Sequence, residues 1–219
     1  MISKLACLLL LAGMCFNALG SPTGDSIKIT MNWLRLSDTA TFRHLKPGDS
    51  LPNIYFYDTS GKKVPADSLL KGKPIMFITG TYSCPSFRDN AKRIKKKIRK
   101  EKDTYDIYYI YLFEAHPVTW SPYGKEMNNL EVNRKKNINL LQQKTIPERI
   151  SAAVKANHDF KLNANILVDS EKNSFYRTVL SSPNGYMVFS PTGILREQRI
   201  WFYKKKVKTK KKEDQDISF

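Results

Sequence analysis

From Ile27 to Trp33 apolar residues (Ile27, Ile29, Met31, Trp33) alternate with polar ones (Lys28, Thr30, Asn32), which predicts a half-buried strand that ends or bulges where the phase breaks at Leu34. After the turn-rich stretch Leu45 to Asn53, Ile54 to Tyr57 reads as a short strand, Asp58-Thr59-Ser60-Gly61 as a hairpin turn and Val64 as the start of the return strand. Ile75 to Thr79 is a continuous apolar run between turn signals, the pattern of a strand covered on both faces at the centre of a sheet. Gly80 to Pro85 forms a strand-to-helix junction with Pro85 suited to the first helical turn, and a helix with Ile94 and Ile98 on a narrow apolar edge continues to about Glu101. Asp106 to Phe113, dense in Tyr and Ile, predicts a second buried strand and completes a right-handed strand–helix–strand unit.

Pro147 to Asn157 follows as a helix with Ile150, Ala153 and Val154 on one face, then Ile166 to Val168 as a strand and Asn173 to Leu180 as a short helix. Gly185 to Phe189 and Ile194 to Trp201 flank the turn Ser190-Pro191-Thr192-Gly193 and predict a closing antiparallel hairpin. This order predicts an α/β chain of thioredoxin-like fold: a central mixed sheet flanked by helices, with an N-terminal strand or hairpin extension. In such sheets functional groups gather beyond the carboxyl ends of the parallel strands, and both Cys84 and His116 follow their strands at that edge.

The first 20 residues change what the cysteines can do. Lys4, the apolar run Leu5 to Met14 and Ala18-Leu19-Gly20 before Ser21 have the layout of a cleaved secretory signal, and the run is too short to span a bilayer. Lipidation at Cys15 is the weaker alternative, because Met14 stands where a small residue is needed. We therefore expect an exported, periplasmic or secreted protein with an N-terminal extension at 21–45, one domain at 46–203 and a basic, disordered tail at 204–219. Cleavage removes Cys7 and Cys15 and leaves Cys84 as the only thiol, so no intramolecular disulfide is possible. A free cysteine in an oxidising compartment is either buried or used.

Charge narrows the partners. The chain carries +17, of which the signal takes only Lys4. Lys92 to Lys100 places a basic face on the first helix, and Lys204 to Lys212 is a second basic run. Neither run interleaves aromatic residues for base stacking, so no specific nucleic-acid binding is expected; the runs read as solvated faces with weak, salt-sensitive attraction to acidic surfaces.

Cys84 at a helix N-terminus has unsatisfied N–H groups and a positive dipole end to favour its thiolate, although position alone leaves a small buried hydrophobe equally open. His116, at the end of the next strand, could hold the thiolate or return a proton to a leaving group. His44 and His158 have no comparable address. Thr81-Tyr82-Ser83-Cys84 also matches the Thr-x-x-Cys part of peroxiredoxins, with Phe77 in place of their preceding proline.

Gly48 with Pro52, Gly72-Lys73-Pro74, the strand to Phe77 and the strand-end cysteine resemble the redoxin branch of the thioredoxin superfamily. Within it, Cys84-Pro85-Ser86-Phe87 and Glu114-Ala115-His116-Pro117 resemble the selenocysteine motif and the Glu-Ala-His motif of iodothyronine deiodinases. Arg149, Ala152-Ala153, Val168-Asp169, Asn173, Tyr176, Pro183 and Tyr186 continue the resemblance in order, over roughly residues 46 to 200. It implies that Cys84 stands where the selenocysteine does, that His116 is the essential histidine, that Glu114 supports the pocket with Thr81 and Ser83 beside it, and that Pro183 faces the nucleophile, its bond open to a cis form. Tyr82 replaces the family's cysteine two places before the selenocysteine, Gln143 replaces a ring-gripping histidine, and Pro183-Asn184-Gly185 replaces a Pro-Glu-Arg stretch.

The expectation is a thiol-dependent oxidoreductase acting on a small molecule. Its Cys84 attacks a soft electrophile, a peroxide oxygen or a carbon-bound halogen. It needs no cofactor or metal and relies on an external thiol or thioredoxin-like reductant, since no internal resolving thiol exists. The other reading from sequence is a binding or chaperone-like module that keeps the fold without turnover.

Overall fold

A computed structural model describes residues 27–29, 45–121, 127–179 and 182–199. The segment expected as a signal at 1–20, His44, Leu180, Trp201 and the tail expected at 204–219 lie outside the described residues, as does the strand expected at Ile27 to Trp33 beyond its first three positions. Of those three, Lys28 bridges to Thr145.

The elements run β1 (Tyr55–Tyr57), β2 (Lys63–Pro65), a 3-10 turn at Asp67–Leu69, β3 (Ile75–Gly80), α1 (Pro85–Glu101), β4 (Asp106–Tyr111), α2 (Glu131–Arg134), α3 (Ile146–Asp159), β5 (Asn165–Asp169), α4 (Ser174–Thr178), β6 (Asn184–Phe189) and β7 (Leu195–Arg199). They build one seven-stranded sheet in the order β2-β1-β5-β4-β3-β6-β7. β3, β4 and β5 are parallel, while β1 joins β5 and β6 joins β3 antiparallel. This is the thioredoxin-like arrangement expected from sequence, with the β1–β2 hairpin added at one edge.

The pleat divides the core. Phe56, Ile75, Phe77, Ile110, Leu167, Met187 and Phe189 face one side, where Phe175, Tyr176 and Val179 of the α4 region cover them. Met76, Ile78, Ile107, Tyr109, Tyr111, Val168, Tyr186 and Val188 face the other, under Phe87, Ile94 and Ile98 of α1 and Ile146, Ala153 and Ala156 of α3. Burial on both faces explains why β3 reads as unbroken apolar sequence.

Two expectations need correction. The inner face of α3 is Ile146, Arg149, Ala153 and Ala156, whereas Val154 is exposed. A buried arginine at a core position hid the true phase of the helix. No cis peptide bond occurs among the described residues, so the bond before Pro183 is trans. Thr145 and Glu148 close a reciprocal capping box at the start of α3, with Pro147 in its first turn.

At the carboxyl edge of the sheet, Tyr111, Gly80 and Asn184 stand side by side on neighbouring strands. The missing side chain at Gly80 makes room for the Phe87 ring, which stacks on Tyr109 at 5.5 Å and meets Phe160 edge-on at 5.7 Å. A Cβ at residue 80 would lie 2.2–2.6 Å from three Phe87 ring atoms. Gly80→Ala should therefore cost about 1–3 kcal/mol of stability by overpacking, measured by urea unfolding. An unchanged unfolding midpoint would show that the ring has somewhere else to go.

Candidate functional site

Cys84 is the N-cap of α1, in extended geometry, with its carbonyl accepting the Arg88 N–H at 3.1 Å. Pro85 follows at the first helical position, where a missing N–H costs nothing. The thiol is 3 % exposed and sits in the core cluster under α1. Burial pushes it up to about 11; the N–H groups of Phe87 and Ser86 and the Arg88 guanidinium pull it down, and the Glu114 carboxylate adds to the upward push. No capping hydrogen bond to the sulfur closes. Desolvation outweighs the helix terminus, so the resting thiol is protonated at neutral pH.

Ser83 is the clasp that fixes this turn. Its N–H donates to Glu114 Oε2 at 2.7 Å, its Oγ accepts the His116 N–H at 2.9 Å, and its carbonyl accepts Asn133 Nδ2 at 3.0 Å. Glu114 is fully buried; its Oε1 accepts the Tyr111 hydroxyl, and that hydroxyl in turn accepts the Tyr82 N–H at 3.1 Å. Gln142 holds the Glu114 backbone from both sides, accepting its N–H at 2.8 Å and donating to its carbonyl at 3.0 Å. Burial raises the Glu114 carboxyl, against hydrogen bonds from Ser83 and Tyr111 that lower it.

His116 reaches the cysteine turn through its backbone: the N–H goes to Ser83, and the carbonyl accepts Asn133 Nδ2 at 3.2 Å. Its ring Nδ1 lies 3.1 Å from the Met127 carbonyl, and burial lowers the imidazole, with a further push from Arg88. The cation beside the thiol is Arg88, whose Nη1 donates to the Tyr82 carbonyl at 3.0 Å and Nη2 to Asn133 Oδ1 at 2.7 Å. Arg88 lies four residues after Cys84, one helical turn along, and that spacing was the available signal. Asn133, which ties Arg88, Ser83 and His116 together, sits in α2, a four-residue helix too short for any periodicity to mark.

Several polar groups near the turn are buried without a partner among the described residues: Thr81 Oγ1, the Tyr109 hydroxyl, both ends of the Asn184 carboxamide and Gln143 Oε1. Tyr109 is coupled electrostatically to both Glu114 and Cys84. Pro183 is buried directly before Asn184, which pairs with Gly80, so it lies at the same sheet edge. Tyr82 has a structural role: its hydroxyl donates to Asp159 Oδ2 at 2.7 Å and its ring packs on Phe160. Arg149, Asp169 and Asn173 form one buried network, with Arg149 donating to the carbonyls of Asp169 and Ser170 and to Asn173 Oδ1. His158 is exposed at the end of α3, beside Asp159.

A largely apolar cavity of about 850 Å³ adjoins the site, lined in part by Ile29, Trp120, Leu141, Gln143, Ala152 and Lys155. Gln142 and Gln143, both of which act on Glu114, line it, and the Lys155 ammonium lies 5.0 Å over the Tyr82 ring, so the cavity touches the supports of the cysteine turn at three residues.

No family model matches the chain, and no curated protein matches it either. Solved structures do share its fold. A hypothetical protein from Sinorhizobium meliloti aligns with a TM-score of 0.50 at 10 % identity, covering 78 % of this chain and 78 % of that one. A candidate protein disulfide isomerase from Bacteroides thetaiotaomicron aligns at 0.49 and 15 % identity, over 74 % of this chain and 84 % of that one. A thiol:disulfide interchange protein from Bacteroides sp. aligns at 0.45 and 16 %, over 71 % and 82 %. The likeness is one of fold.

Alkylation of Cys84 in the folded protein should still rise about tenfold per pH unit between pH 8 and 9.5, since the thiol titrates well above that range. Arg88→Met should slow alkylation further by raising the thiol pKa. A plateau below pH 9 in the parent protein, or an unchanged rate in the variant, would refute this account of the thiol.

Proposed function

We propose that this protein is an exported thiol-dependent oxidoreductase, deiodinase-like in its motifs, in which Cys84 is oxidised by a soft electrophile and returned by an external thiol or thioredoxin-like partner. The observation that carries the reading is the position of Cys84, the one cysteine among the described residues, as N-cap of α1 at the carboxyl edge of a thioredoxin-like sheet. Partnerless Thr81 and Tyr109 hydroxyls and the Arg88 cation beside it lend further support.

With a hydroperoxide, the Cys84 sulfur attacks one peroxide oxygen, the O–O bond breaks, and the thiol proton leaves with the alcohol or water formed. The sulfenic acid then condenses with an external thiol, releasing water, and a second thiol frees Cys84 and leaves as a disulfide. With a carbon-bound iodine, sulfur takes the halogen while carbon takes the proton, and two external thiols restore Cys84 with loss of hydrogen iodide. In both cases the thiol must first be deprotonated. Glu114 is the buried carboxylate that can take that proton, the neutral Tyr109 hydroxyl can donate a hydrogen bond to the charge that develops on sulfur, and His116 is a candidate for proton delivery at the leaving group.

One observation favours the alternative of a non-catalytic binding module: the thiol is almost fully buried and protonated at rest. Peroxide and iodophenol turnover with dithiothreitol as reductant separates the two readings. One substrate should be consumed by the parent protein and not by Cys84→Ser. Tyr109→Phe should lose at least about tenfold in rate while its melting temperature holds or rises, because the change removes a partnerless buried hydroxyl. Neither substrate reacting would leave the binding module as the function.

A further inference from the structure

The outer face of α1 departs from what a merely solvated helix needs. Lys92, Lys95, Lys96, Arg99 and Lys100 are all exposed, and none of their side chains has an ion pair or hydrogen bond with a described residue. Arg93 is exposed beside them. The spacings Lys92–Lys96–Lys100 and Lys95–Arg99 are i,i+4, and Lys92–Lys95 and Lys96–Arg99 are i,i+3, so like charges are stacked where opposite charges would support the helix. The carboxylates of α1 are Asp89, which lies 3.9 Å from Lys136 of another segment, and Glu101, which lies 3.9 Å from Lys97. The helix thus concentrates unneutralised cations over about 12 Å of its length, from Lys92 to Lys100.

The opposite edge is fixed. Phe87, Ala91, Ile94 and Ile98 are buried against the sheet, so α1 cannot roll to hide the basic face. None of the exposed large hydrophobic residues lies on α1. A face of flexible lysine heads without an aromatic or apolar anchor fits a diffuse plane of negative charge, and it offers nothing to stack on bases or to fill a protein pocket.

We propose that this face docks the protein, side-on and reversibly, on the anionic headgroups of a membrane surface. Binding is electrostatic, without insertion, and follows the behaviour of polybasic surfaces on acidic lipid. Because Cys84 caps the same helix, docking sets the thiol at one end of the contact. The proposal stands whether or not Cys84 turns over.

Co-sedimentation with vesicles tests it on the full chain at about 50 mM salt, where surface charge is weakly screened. Phosphatidylcholine vesicles with roughly a third phosphatidylglycerol should bind the protein, pure phosphatidylcholine should not, and about 500 mM salt should release it. The triple variant Lys92→Gln, Lys96→Gln, Lys100→Gln should bind at least about tenfold more weakly, with an unchanged melting temperature. Lys210→Gln, Lys211→Gln, Lys212→Gln, in the second basic run, should stay within about threefold of the parent. The idea fails if the α1 triple binds like the parent, if the tail triple alone abolishes binding, or if duplex DNA at equal phosphate strips the protein from the vesicles; that last result would make the face a nucleic-acid surface.

Discussion

Glu114 is the group on which the sheet edge depends. A carboxylate buried this deeply is tolerated only if its oxygens are hydrogen-bonded, and here they take the Ser83 N–H and the Tyr111 hydroxyl, one from the cysteine turn and one from β4. It therefore acts as a tie between the end of one parallel strand and the start of the helix that follows another. Gln142 anchors its backbone in turn, so a loop remote in sequence sets where the cysteine turn sits. The fully buried cation Arg149 interacts electrostatically with both Glu114 and Asp169 but gives its hydrogen bonds to neutral oxygens. One guanidinium thus offsets part of the field of two carboxylates, and both carboxyls stay raised by burial.

The parts of the fold that were legible in sequence are those where one physical pattern saturates a segment. β3, α1 and β4 read within a residue or two because an all-apolar strand, a proline at a helix start and a dense run of β-formers each leave few alternatives. The face of α3 was misread because Arg149 is buried at a core position, which no hydrophobic pattern announces. The chain between β4 and α3 was illegible because its order comes from side chains such as Asn133 and Gln142 bonding to distant backbone, not from periodicity.

At the site, the address of Cys84 could be read and its environment could not. Tyr109 and Tyr111 look in sequence like ordinary strand formers; only the register with Ile78 and Gly80 brings them under the cysteine turn. His116 stood out for its chemistry, yet the contacts that join it to Ser83 are made by its backbone, and the cation beside the sulfur is Arg88. Proximity along a helix, rather than residue type alone, was the better guide.

A thiol held near 11 is not thereby excluded from catalysis. Raising the pKa by about two units lowers the thiolate fraction at neutral pH about a hundredfold, but the nucleophilicity of each thiolate rises with its basicity, with a Brønsted slope of about 0.4–0.5. The two effects together leave roughly a tenfold deficit against an ordinary thiol, well within what one positioned base supplies. Under the proposed chemistry burial acts chiefly on selectivity: bulk oxidants meet a protonated, covered sulfur, and only a reactant that reaches the turn meets Glu114 to take the proton and Tyr109 and Arg88 to hold the charge.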